Sequence, residues 1–199
     1  DLNSCAPSTK QKNAEIISKA GGRYVDVAVM ATITPKYHQT AMLVAGEHAG
    51  SAIALMLALD MKPVHVPGPV GRASTIKMIR SVLVKGIEAL TAECFSAATI
   101  AGVADEVAAS LDASQTKNGW EDQAAYNMER MTTHGIRRAA EMREVAITLA
   151  DLNIAGRMTA GTIAWQDQLG NLGLSLLDTE GLAPRLSAIH KALDAQKSD

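Results

Sequence analysis

Pro67-Gly68-Pro69-Val70-Gly71-Arg72-Ala73-Ser74-Thr75-Ile76-Lys77-Met78-Ile79-Arg80-Ser81 divides this chain into two kinds of sequence. Two prolines and two glycines within five residues stop whatever element precedes them. From Gly71 onward nothing need break a helix until about Gly102. About thirty residues at ~1.5 Å rise span about 45 Å, more than the width of a small domain. Ile76, Ile79, Leu83, Ile87 and Leu90 form one stripe, while Val82, Val84, Phe95 and Ile100 occupy other faces. A helix apolar on most faces is expected to lie buried among other helices.

Upstream, strand and helix signals alternate. Residues 8–20 read as a helix stopped by Gly21-Gly22. Residues 24–30 carry the valine-rich, alternating composition of a buried strand. Pro35 disfavours helix at Thr34 and marks a loop. Residues 41–45 predict a second strand, residues 48–59 an apolar helix and residues 64–66 a third strand. Downstream the strand signals vanish. Helices are predicted at 103–111, 120–132, 135–152, 159–177 and 183–196. The reading is therefore an α/β part over residues 1–70 and an all-helical part over residues 71–199, both of ordinary domain size.

Composition narrows the function classes. The 199 residues are 47% hydrophobic and 20% charged, which suits a folded globular chain. A formal net charge of −2 gives no reason to expect nucleic acid or an anionic membrane as partner. No apolar run is long enough to span a bilayer, and no signal peptide opens the sequence. Cys5 and Cys94 are too few for a disulfide framework or a cysteine-rich zinc site and fit a cytoplasmic location. His38, His48 and His65 lack metal-ligand spacing, so no metal is expected. Six aromatic residues offer no stacking platform for bases.

Lys77 carries the most chemistry. It lies on the second turn of the long helix, beside Ile76, Met78 and Ile79, where the two parts of the chain join. Apolar neighbours pull an amine down from its usual ~10.4 toward neutrality, where it exchanges protons usefully. Ser81, four residues on, shares its helix face and is placed to bond the same ligand. The plain alternative is a surface lysine whose stem lies along the helix.

These residues resemble a known pattern. Residues 71–81 are similar to G-x-G-x-x-x-K-x-x-N-N of the β-hydroxyacid dehydrogenases, which include 3-hydroxyisobutyrate and 6-phosphogluconate dehydrogenases. Asp1-Leu2-Asn3-Ser4 with Pro7 resembles their D-x-S-T-x-x-P segment beside the nicotinamide. Asp26-Val27-Ala28-Val29-Met30-Ala31-Thr32 resembles the substrate loop D-A-P-V-S-G-G, and residues 41–46 resemble the following L-x-x-x-x-G-G strand. Arg137-Arg138-Ala139-Ala140-Glu141-Met142 looks like the carboxy-terminal domain of a branch related to 6-phosphogluconate dehydrogenase.

The resemblance implies an α/β remnant of a Rossmann-like domain followed by an all-α 6-phosphogluconate dehydrogenase-like domain. It implies NAD or NADP as cofactor, with Asn3 and Ser4 on the nicotinamide side. Lys77 would be the catalytic acid and base. Met30, Ala31, Thr32 and Ser81 would bind a small-molecule substrate, and the protein would be a homodimer. No G-x-G-x-x-G occurs in the chain, so the early nucleotide-binding core is expected to lie outside it, and the chain alone is expected to turn over little.

The departures point to altered substrate contacts. The second glycine is Ala73, the paired asparagines are Arg80 and Ser81, and the serine and glycines of the loop are Met30, Ala31 and Thr32. Arg80 suggests an anionic or larger polar substrate. Arg137, Arg138 and Arg143 stand near where the family has its K-D-L motif, though they also fit a solvated helix face. The alternatives are a non-catalytic helical oligomerisation protein derived from this family and an imine reductase of related architecture.

Overall fold

The computed structural model describes residues 1–114 and 119–197. In chain order these form α1 (Pro7–Lys19), β1 (Asp26–Val29), β2 (Ala41–Ala45), α2 (Ala49–Ala58), β3 (Lys62–His65), α3 (Arg72–Ala101), α4 (Ala104–Ser114), α5 (Trp120–Asp151), α6 (Arg157–Gly170) and α7 (Leu182–Gln196). The chain separates into two compact units, Asp1–Ile87 and Glu88–Asp199. The sequence boundary at 70/71 follows the last strand signal, whereas this division falls within α3.

In the first unit β2 is the central strand of three. It pairs antiparallel with β1, Val27 opposite Val44, and parallel with β3, Leu43 opposite Val64. The parallel pair needs a crossover, which α2 supplies. Val27, Met42, Val44 and Ala49 are buried in one core, with Ile53 and Met56 of α2 packed against it. The other core contains Ala28, Ala45 and Ala73, with Met30 and Leu43 against them. Small side chains at those three positions let the start of α3 approach the strands closely. β3 is the exposed edge and carries Pro63, which the interior of a sheet would not tolerate.

In the second unit α5 packs on α6 and α7. The predicted helices at 120–132 and 135–152 are one helix, since Gly135 does not break α5. Gly135 and Gly170 mark where α5 and α6 touch backbone to backbone. A Cβ on Gly135 would collide with the Gln166 carbonyl, and one on Gly170 would lie 2.5 Å from the Ile136 nitrogen. The helix predicted over 159–177 ends at Gly170, and Leu176 from the following loop joins Leu169 and Ile189 in the core.

The expected burial of α3 is not met within the chain. Ile79 is 68% exposed, Leu83 49% and Leu90 46%. Apolar periodicity reports that a helix face favours cover, not that the same chain supplies it.

Candidate active site

The site begins with a carboxylate. Asp26 opens β1 and is fully buried. Its Oδ2 accepts from the Gly71 and Ser74 amides, each at 3.0 Å, and its Oδ1 accepts from the Ser74 hydroxyl at 2.5 Å. Those amides belong to the first turn of α3, whose N–H groups have no partner within the helix. The strand thereby caps the helix and fixes its starting point. Gly71, at φ +100°, takes a backbone conformation that side-chain-bearing residues rarely adopt, and Pro7 and Gln11 crowd the place of a Cβ.

Lys10 completes this anchor from α1. Its amine is buried, donates to the Asp1 carbonyl at 2.6 Å, and lies 3.2 Å from the Asp1 carboxylate and 3.8 Å from Asp26. Burial lowers its pKa, and the Asp26 charge acts against that shift.

One turn after Ser74, the half-buried Lys77 donates from Nζ to the Ser4 hydroxyl at 2.5 Å. Burial depresses the Lys77 pKa below the ordinary 10.5, and the cations of Lys10 and Lys85 push it the same way. An amine with this bias releases its proton more readily and returns as a base. The whole arrangement lies within the first unit.

The other predicted residues are placed unevenly. Ser81 donates its hydroxyl proton to the Lys77 carbonyl at 2.9 Å, leaving only its lone pairs for a ligand. Met30 packs on the cluster containing Ala73, one turn before Lys77, and its amide is taken by the Ala41 carbonyl at 2.9 Å. Ala31 and Thr32 are exposed, with the Thr32 hydroxyl bonded to the Thr34 carbonyl at 3.2 Å. Asn3 does not join the Lys77 contact. It lines a cavity of about 480 Å³ with Asn13, Arg23 and Tyr24.

Arg137 pairs with Glu141 and Arg143 with Asp167, on exposed surface. Lys10 escaped the sequence reading because it is one of several lysines on a short, largely polar helix, and its partners Asp1 and Asp26 lie elsewhere in the chain. Asp26 did leave a signal, since a charge opening a buried strand requires partners. Cys5, for which the sequence offered no basic partner, lies within electrostatic reach of Lys10. Among the described residues no group of His, Cys, Asp and Glu is arranged to hold a metal.

Residues 98–169 match the family described as a domain of unknown function (DUF1932). A conserved hypothetical protein from Sinorhizobium meliloti is 34% identical, with a TM-score of 0.51 over 96% of this chain and 65% of its own. A conserved protein of unknown function, whose structure was described as similar to 3-hydroxyacid dehydrogenases, is 29% identical, with a TM-score of 0.52 over 86% of this chain and 64% of its own. The chain therefore has the fold of a protein described as structurally similar to 3-hydroxyacid dehydrogenases. An imine reductase from Myxococcus stipitatus, solved with NAD+, shares this fold at 14% identity, with a TM-score of 0.66 over 95% of this chain and 68% of its own. The chain spans about two thirds of the length of the first two structures and 55% of the curated relative it matches. The lysine pattern that suggested the superfamily occupies the first turns of α3, and its first glycine is the crowded, positive-φ Gly71.

Proposed function

We propose that this chain is the substrate-side portion of an NAD(P)-dependent dehydrogenase that oxidises a small polar β-hydroxyacid or a related alcohol. The observation that carries this reading is the contact between Lys77 and Ser4, made by an amine acidified by burial and by two neighbouring cations. In the oxidation direction the neutral Lys77 amine takes the proton of the substrate hydroxyl. In reduction the ammonium returns it. Ser81, through its free lone pairs, and the loop Met30–Thr32 orient the substrate. Because the Met30 amide is bonded within the sheet, that loop recognises substrate through side chains and through Ala31 or Thr32.

The residues present fit a nicotinamide neighbour. Asn3 and Ser4 are exposed polar side chains, and Ser4 touches the amine that would hold the proton. NAD or NADP, when bound, supplies the hydride acceptor. The exposed apolar stripe of α3 supports a homodimer, because isolated monomers rarely leave such a face in water. A cytoplasmic site of action belongs to the same proposal. Among the described residues no helix is long and apolar enough to cross a membrane.

That same stripe favours a second reading, in which the chain serves oligomerisation and performs no chemistry. The test is a screen of the full-length protein against a panel of hydroxyacids and alcohols with NAD and NADP, run beside Lys77→Ala. Turnover that depends on a nicotinamide and falls in the variant supports the dehydrogenase. Turnover indifferent to Lys77, or a folded dimer with no cofactor-dependent activity, supports the second reading.

A further inference from the structure

Lys10 is a fully buried cation that the proposed chemistry does not use. Its amine ties together the segments that meet at Lys77. It bonds the Asp1 carbonyl and carboxylate, which lead directly into Asn3 and Ser4. It also lies 3.8 Å from the Asp26 Oδ1 that holds the Ser74 hydroxyl, and Ser74 is one helical turn before Lys77. The charged groups around Lys77 are Lys85 on its own helix and Lys10 from α1. Those around Lys10 are the carboxylate and amine of Asp1 and the carboxylate of Asp26, with the titratable Cys5 thiol near them.

We propose that Lys10 is a positioning residue for Lys77: its buried ammonium joins the Ser4 segment to the capped start of α3 and holds the Lys77 amine against Ser4. The assignment rests on Lys77 being the proton carrier, but it concerns the ionisation of Lys77 and is read without turnover. Lys77 is acidified by burial first and by Lys10 next. Removing Lys10 should therefore let Lys77 hold its proton to higher pH.

The experiment is competitive acylation of the full chain with acetic anhydride across pH, with each lysine followed by peptide mass spectrometry. The test variant is Lys10→Met combined with Asp26→Asn, which removes both buried charges. The amide oxygen still accepts from Gly71 and Ser74, and its NH2 donates to the Ser74 hydroxyl. The Lys77 labelling profile should move up by about half a pH unit or more, a drop of about threefold in labelling rate at a fixed pH below the midpoint. Lys10→Arg keeps the cation and should keep the native profile. An unmoved Lys77 profile in the double variant overturns the proposal. So does an equal shift in Lys10→Arg, because packing rather than charge would then set the profile. Should the double variant not fold, the native protein decides: Lys10 must stay unlabelled where Lys77 reacts, and labelling of both together overturns the assignment. A shifted profile beside unchanged turnover in Lys77→Ala would uphold Lys10 and remove the proposed catalytic reading instead.

Discussion

Lys77 and Ser4 are 73 positions apart, yet the lysine amine donates to the serine hydroxyl at 2.5 Å. The contact joins the loop before α1 to the second turn of α3. The proposed dehydrogenase reading predicts that Lys77→Ala cuts turnover by about 10²–10⁴, the usual worth of a general acid–base group. Lys77→Arg keeps the cation but cannot release its proton near neutrality, so it should fail as badly. In the oxidation direction the neutral amine is the active form. Turnover should rise with pH and level off below the ~10.4 of a free lysine, because the Lys77 pKa is depressed. Steady-state rates over a pH series check all three outcomes.

Asp26 to Ala should be among the most damaging substitutions in the first unit. It strands the Gly71 amide and the Ser74 amide and hydroxyl, and removes one of the two carboxylates beside the buried Lys10 cation. Removing one partner from a buried charge cluster costs about 3–5 kcal/mol. Asp26→Asn should cost clearly less, since an amide still satisfies both backbone donors. Urea unfolding of the two variants measures the difference.

Glu93 does for α6 what Asp26 does for α3. Its carboxylate accepts from the Met158 and Thr159 amides, each at 2.9 Å, and from the Thr159 hydroxyl at 2.6 Å. Gly156 precedes the helix and has no side chain to cap it. Burial pushes the Glu93 pKa up, but the hydrogen bonds outweigh it and leave the carboxyl below its ordinary 4.5. A depressed folded-state pKa gives stability that is complete above the unfolded value and lost as pH falls through the folded one. Thermal melts of the second unit should therefore weaken as pH drops below about 4.5, and Glu93→Gln should flatten that dependence.

Gly135→Ala should destabilise the second unit by at least about 2 kcal/mol, because the added methyl meets backbone that cannot move aside. Gly86→Ala, where a Cβ meets nothing within 4 Å, should be neutral or mildly stabilising in α3. Paired denaturation curves give the comparison.

The uncovered stripe of α3 predicts a dimeric mass by light scattering at micromolar concentration. Replacing Ile79 and Leu83, both exposed in the chain, with glutamate should shift that mass toward the monomer. A monomeric mass for the unaltered protein would leave the stripe unexplained by self-association.

The sequence alone determined the order of elements up to the end of α3, because valine-rich strands, a Pro-Gly-Pro stop and an unbroken thirty-residue helix are local signals. It also singled out Lys77, through a motif confined to consecutive residues. Local signals could not show that Gly135 joins two helices by backbone contact rather than separating them. Nor could they show that Lys10 is buried, since its partners Asp1 and Asp26 lie on other elements. Tertiary structure decided those points. Whether a charge is tolerated in a core, and how acidic an amine becomes, depends on groups distant in the chain that only folding brings within a few ångströms.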